Sequence, residues 1–327
     1  MRAVALLACT WLSLIVLGDT AHAQNWKPDA PVEVIVICAP GCGPDKTARM
    51  MQRVFQQGRY FDTPLTISNK PGGGGAVAQS YLNQFEGNGH YLLQTGKSVL
   101  TTHAMGRTVA PYTEITPITH MFGEYIGIAV KADSPIKSGR DLIERLRKDP
   151  TSASFGIATS LGNTNHQGAA GALKAAGVDI KKLRNVVFQS GAQAITAMLG
   201  GHIDVVPVSI GSWISHMKAG AVRVIAVSAP QRLPDAFAGV PTWREQGAYL
   251  VVSNWRGIFG PRRMTPAQVA FWESAIQRFM ETPDWKAEMA LLHGTSEYMG
   301  SARTRKFMEQ DYAEIKTFLA ELELIKK

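Results

Sequence analysis

From Val32 onward, short runs of β-branched and aliphatic residues alternate with longer stretches of helical periodicity, and that alternation restricts the chain to few folds. Residues 32–37 read as a strand followed by a helix over 45–60, residues 65–68 as a strand followed by a helix over 76–85, and 91–95 as the next strand. Strand and helix joined repeatedly by short links imply a parallel sheet with helices on both faces. A second series begins at a strand over 125–130, passes through a helix over 138–148, and continues with strands at 154–158, 186–188, 205–208 and 222–228. One more strand at 255–259 precedes helices at 265–281, 285–292 and 302–323. In the last of these, Met308, Tyr312, Ile315 and Leu319 recur at three- and four-residue steps, which places them on one buried face. A chain of 327 residues is long for one hydrophobic core. The expected division is a leader over 1–23, one lobe from 24–123 plus 252–327, and a second lobe from 124–251. The C-terminal helices then return to the first lobe.

The loops after the strands carry the polar and conformationally permissive residues. In an α/β fold, ligands bind at the carboxyl ends of the strands. The first loop holds Pro40, Gly41, Cys42 and Gly43 ahead of Asp45, which reads as the cap of the following helix. Glycine lets backbone approach a ligand, and the N–H groups of a helix start suit a carboxylate; an ordinary strand-to-helix turn fits the loop equally well. The spacing is not that of a nucleotide phosphate loop. The second loop contains Gly72, Gly73, Gly74 and Gly75 in succession. Ordering such a run costs chain entropy, which favours N–H groups lining a cleft over a mere connector. Ser98, just past the strand at 91–95, joins the candidates. In the second lobe Ser160, Asn163, Thr164 and Asn165 supply hydroxyls and amides, with helix capping as the competing reading. Gln189, Ser190, Gly191 and Ser209 sit at small polar loop tips. Arg256 lies where the chain returns between lobes, and both a bidentate grip on a carboxylate and plain solvation stay open for it.

The start of the chain reads as a secretory leader, with a basic Met1-Arg2, an apolar run from Ala3 to Leu17 and small residues ending at Ala23. Cleavage after Ala23 removes Cys9 and leaves the formal charge of +8 unchanged, because Arg2 and Asp19 cancel. A basic protein attracts anions, but no Lys/Arg run with interleaved aromatics points to nucleic acid. Cys38 and Cys42 remain, four residues apart, and either a disulfide or two free thiols fits that spacing. Neither these cysteines nor the scattered His103, His120, His202 and His216 have metal-ligand spacing, so no metal or cofactor is expected. A secreted hydrolase built on His166 would need a marked serine nucleophile, and no G-x-S-x-G elbow is present.

Taken together and in order, the segments 40–45, 69–74, 162–166, 200–204, 240–242 and 255–257 resemble the TctC/Bug-type extracytoplasmic solute receptors of tripartite tricarboxylate transporters. The similarity spans nearly the whole mature chain. It implies an α/β, two-lobed periplasmic binding protein fold of type II-like organisation, with the ligand cleft between lobes. It also implies a receptor that captures a small organic carboxylate and delivers it to membrane permease subunits; the expected protein is a non-enzymatic monomer whose ligand is a mono-, di- or tricarboxylate, aromatic acids included, and capture on behalf of a membrane sensor is the alternative. By this resemblance a carboxylate sits near Gly43, Asp45, Gly72, Gly73 and Gly74, with Ser160, Asn163, Thr164 and Asn165 closing from the second lobe. Cys42 departs from the consecutive glycines that relatives more often carry there. Lys46 stands where many relatives have an apolar residue, and either adds a cation to the cleft or faces solvent.

Overall fold

The computed structural model describes residues 26–108 and 110–325. The leader, with Cys9 and the expected cleavage point, lies outside the described residues. The first lobe opens with β1 (Val32–Val36), α1 (Gly43–Gln57), β2 (Leu65–Asn69), α2 (Ala76–Leu82), β3 (Tyr91–Gly96) and α3 (Lys97–Ala104). A long strand, β4 (Ile115–Lys131), leads to α4 (Gly139–Lys148), β5 (Ser154–Ala158), α5 (Thr164–Ala175), β6 (Arg184–Phe188), α6 (Gly191–Leu199), β7 (Val205–Ser209), α7 (Ile214–Lys218) and β8 (Val222–Val227). The chain then returns through β9 (Ser253–Pro261), α8 (Pro266–Met280), α9 (Pro283–Leu292), β10 (Thr295–Gly300) and α10 (Ser301–Glu321).

The strands run in the order β2-β1-β3-β9-β4-β7-β5-β6, with β8 and β10 also pairing to β4. β1 is parallel to both β2 and β3, and β5 is parallel to β6 and β7, as the alternating pattern requires. The all-parallel expectation is corrected at the middle of the molecule, where β9 and β4 run antiparallel to their neighbours. They do so because they carry the chain between lobes, not over a helix within one. β4 belongs to both halves: its pairing with β9 ends at Tyr125↔Ser253 and its pairing with β7 begins at Ile126↔Ser209.

Each lobe buries apolar side chains on both faces of its sheet. In the first, Phe55, Phe122, Trp272 and Trp285 fill one face, and Leu100, Trp255, Phe259 and Ile315 the other. In the second, Leu142, Phe155, Leu173 and Trp243 fill one face, and Met198, Val206, Trp213 and Phe237 the other. Burial of such a side chain stabilises by roughly 1.5–3 kcal/mol. The predicted stripe on α10 packs inward, with Met308, Ile315 and Leu319 buried and Tyr312 half-buried. Helix starts follow local chemistry: Ser138 caps α4, and Thr265 forms a reciprocal capping box with Gln268 at the start of α8. Among the described residues no helix is long and apolar enough to cross a membrane.

Candidate functional site

The loop after β1 is braced from several directions. Cys38 and Cys42 form a disulfide with Cα atoms 6.4 Å apart. Cys42, not Asp45, is the N-cap of α1, which corrects the capping expectation. Asp45 lies one turn inside the helix and is 1% exposed. Its Oδ2 accepts from the Gly41 N–H at 2.8 Å and from Arg49 Nε at 2.9 Å, while Oδ1 accepts from Asn69 Nδ2 at 3.0 Å. Asn69 Nδ2 also donates to the Cys38 carbonyl at 2.8 Å. Asp45 therefore ties the first loop to the end of β2. Burial opposes its ionisation, but the hydrogen bonds from Arg49, Gly41 and Asn69 win and hold its pKa down to about 2.

The glycine run after β2 is used for its conformation. Gly72, Gly73, Gly74 and Gly75 have φ of 128°, 57°, 67° and 107°, a succession in the region that L side chains rarely adopt. Thr102 Oγ1 on α3 donates to the Gly74 carbonyl at 3.1 Å and fixes the loop against that helix.

From the second lobe, the loop between β5 and α5 approaches. Asn163 caps α5 by accepting from the His166 N–H at 3.0 Å, and its amide donates to the Ala158 carbonyl and to Thr159 Oγ1. Thr159 itself holds φ at 64°. His166 Nδ1 accepts from the Gly162 N–H at 2.9 Å, inside its own lobe. Burial alone lowers its pKa to about 4, so the ring is neutral at physiological pH. Among the described residues it has no serine partner.

These loops enclose a cavity of about 240 Å³ between the lobes. Of the sequence candidates, the structure brings Gly73, Gly74, Ser98, Ser160, Asn163 and Thr164 together around it. Thr101, Thr102, Met105, Arg107 and Thr159 complete the lining. Arg107 is exposed at this wall, and among the described residues it has no carboxylate within ion-pair distance. The lining thus contains hydroxyls, loop amides and one cation, and no carboxylate. Sequence reading missed Thr101, Thr102 and Arg107 because it missed α3 itself.

The other candidates lie elsewhere around the cleft. Pro40, Gly41 and Cys42 belong to the braced first loop, Gly43 and Asp45 to the first turn of α1, and Gly72 precedes the cavity wall without lining it. Asn165 is half-buried on α5, and Lys46 faces solvent. Ser190 caps α6 by accepting from the Gln193 N–H at 3.2 Å, and the Gln189 N–H donates to Gln193 Oε1, so these two and Gly191 shape the start of that helix. Arg256 and Ser209 meet at Glu124, a residue on β4 that no sequence pattern marks. Arg256 Nη2 donates to Glu124 Oε2 at 2.8 Å, and Ser209 Oγ donates to the same oxygen at 3.4 Å.

A second cavity, of about 220 Å³, lies against α10 and the returning segment at Leu250 to Ser253. Apolar Leu250, Phe307, Ile315 and Phe318 dominate it, together with Lys97 and Asp311. There the one cation is already paired: Lys97 Nζ donates to Asp311 Oδ1 at 2.5 Å and Trp255 Nε1 to Asp311 Oδ2 at 2.6 Å, and Glu314 adds a second carboxylate to the wall. Among the described residues no cluster of histidine, cysteine or acidic side chains is arranged to hold a metal.

Comparison with known proteins accords with this architecture. The UPF0065 protein in the gbd 5' region of Cupriavidus necator is 23% identical over 326 residues, covering 99% of this chain and 97% of the relative. A Rhodopseudomonas palustris protein solved with adipate superposes with a TM-score of 0.77 at 19% identity, covering 90% of this chain and 98% of that one. MatC of Rhodopseudomonas palustris, solved with bound malate, gives a TM-score of 0.71 at 20% identity, covering 89% of this chain and 99% of that one. These likenesses establish the two-lobed periplasmic binding protein fold. The tripartite tricarboxylate transporter family receptor model (TctC) matches residues 48–324, and the chain belongs to that family of solute-binding receptors.

Proposed function

We propose that the protein is a periplasmic receptor whose two lobes close on a small organic carboxylate and that hands it, unreacted, to membrane permease subunits of a tripartite tricarboxylate transporter. The observation that carries this reading is the lining of the 240 Å³ cavity: the Gly73 and Gly74 loop, the hydroxyls of Ser98, Ser160 and Thr164, and the cation of Arg107, with no acidic side chain among them. Such a set replaces the water around an anion with fixed donors. The two structural neighbours solved with adipate and malate support an acid as the ligand. Closure needs only that the acid bind the closed form more tightly than the open one. The receptor acts as a monomer, exported by the leader over residues 1–23.

The test is a thermal-shift screen of ligand-stripped protein against aliphatic and aromatic carboxylates, amino acids and neutral sugars. A concentration-dependent rise in Tm restricted to carboxylates is the expected result, since a ligand that binds only the native state stabilises it by mass action. A rise with neutral sugars alone, or with nothing in the panel, would overturn the reading.

A further inference from the structure

The one arginine of the sequence candidates is already engaged by an acid from its own chain. Arg256 on β9 is paired with Glu124 on β4, and the side chains are 14% and 5% exposed. Neither residue lines the cavity, and the pair lies one strand away from its wall. In the β3–β9 ladder Arg256 is the partner of Gly96, and Ser98, two residues further on, lines the cavity. On its other side the guanidinium lies against the start of α1: a Cβ on Gly43 would fall 2.7 Å from Arg256 Nη1 and would displace the guanidinium from its place. A cation at the positive end of a 15-residue helix needs an anion beside it. Glu124 is that anion. It is held in place by Ser209 from the end of β7 as well as by Arg256, and among the described residues the Arg256 side chain makes no other hydrogen bond.

We propose that Glu124 is a specificity-determining residue that restricts the receptor to ligands with a single carboxylate. The inference rests on the carboxylate reading above. A ligand whose acid group is held at the Gly73–Arg107 side presents its far end to the wall beyond Ser98. With Glu124 in place, a second carboxylate there meets a neutralised arginine and a fixed negative charge. Freeing Arg256 for it would leave the buried Glu124 charge with only the long Ser209 hydrogen bond, a penalty that the new contact does not repay. Glu124 acts through Arg256; it is a positioning residue for that cation, not a ligand contact.

The experiment measures dissociation constants by calorimetry for same-skeleton pairs, hexanoate against adipate, butyrate against succinate and benzoate against terephthalate. The proteins are wild type, Glu124→Gln and the doubly neutral E124Q/R256Q. Wild type should bind the monocarboxylate of a pair at least as tightly as the dicarboxylate. In Glu124→Gln the ratio should move toward the dicarboxylate by about tenfold or more, the value of a charge-assisted hydrogen bond. The double variant should return to the wild-type ratio. A ratio within one protein is independent of its folded fraction, so general destabilisation does not mimic the effect, and the wild-type ratio alone tests the proposal should Glu124→Gln fail to fold. A wild-type preference for dicarboxylates, or a ratio unmoved by Glu124→Gln, overturns the inference and leaves the receptor reading standing. Binding of none of these acids to any of the proteins overturns both.

Discussion

Two cavities of nearly equal size, about 240 and 220 Å³, lie on either side of α3, and only one of them is equipped to bind an anion. On the side of the glycine loop, the hydroxyls of Ser160 and Thr164 and the guanidinium of Arg107 have no protein acceptor among the described residues. On the side of α10, Lys97 and Trp255 both donate to Asp311, Glu314 adds a further negative charge, and the remaining wall is largely apolar. Volume does not tell these spaces apart. Uncommitted hydrogen-bonding capacity does, because a buried polar group with its partners already in place has nothing left to offer a ligand.

The largest expected effect lies on the committed side. Asp311→Ala leaves a buried ammonium and an indole N–H without their acceptor, and should cost about 3–5 kcal/mol in urea unfolding. Carboxylate affinity of the protein that remains folded should hardly change. A large loss of affinity instead would mean that the two cavities are one functional site.

A smaller effect comes from His166, which lines neither cavity but braces elements beside both: its Nδ1 holds the Gly162 amide of the cleft loop, and its ring lies edge-on to Phe318 with centroids 5.9 Å apart. Its folded-state pKa of about 4 lies below the ordinary value of 6.5. As pH falls, the unfolded chain therefore takes up the proton first. Stability contributed by the neutral ring is complete above pH 6.5 and declines toward pH 4, by up to roughly 3 kcal/mol through linkage. Unfolding measured over that interval should show the decline in wild type and much less of it in His166→Gln. An unchanged slope in the variant would assign the effect to other groups.

The smallest effect lies on the uncommitted side. Gly73→Val forces a β-branched residue to a φ of 57° and brings its Cβ to 3.0 Å from that of Ala76. We expect about tenfold weaker binding of the cognate carboxylate, equivalent to about 1.4 kcal/mol. Unchanged affinity would remove the glycine loop from the site.

Much of the fold was legible because each βαβ unit is written locally. The strand at Ser154–Ala158 and the caps at Ser138 and Thr265 follow from adjacent residues. What escaped depended on distant partners. α3 is eight residues long and carries Val99, Thr101 and Thr102, residues with a strand preference that tertiary packing overrides. The first half of β4 contains Pro117 and Gly123, and its ladder with β9 shifts register twice, so it lacks a clean two-residue period. β10 is mostly exposed and is defined by its pairing with β4. The site was half legible for the same reason. Glycines and capping residues announce a loop, whereas Arg107 and Glu124 gain their significance from what folds against them.

The unbroken passage of β4 from one sheet to the other has a mechanical consequence. Pairing with β9 stops at Tyr125 and pairing with β7 starts at Ile126, so no slack residue separates the two ladders. The connection behaves less like a loose joint than like a torsion bar, in which rotation of one lobe must be taken up as distributed twist of hydrogen-bonded backbone. Such an element returns to its resting angle when released. Glu124 sits at its midpoint, where elastic deformation is transmitted from one lobe to the other.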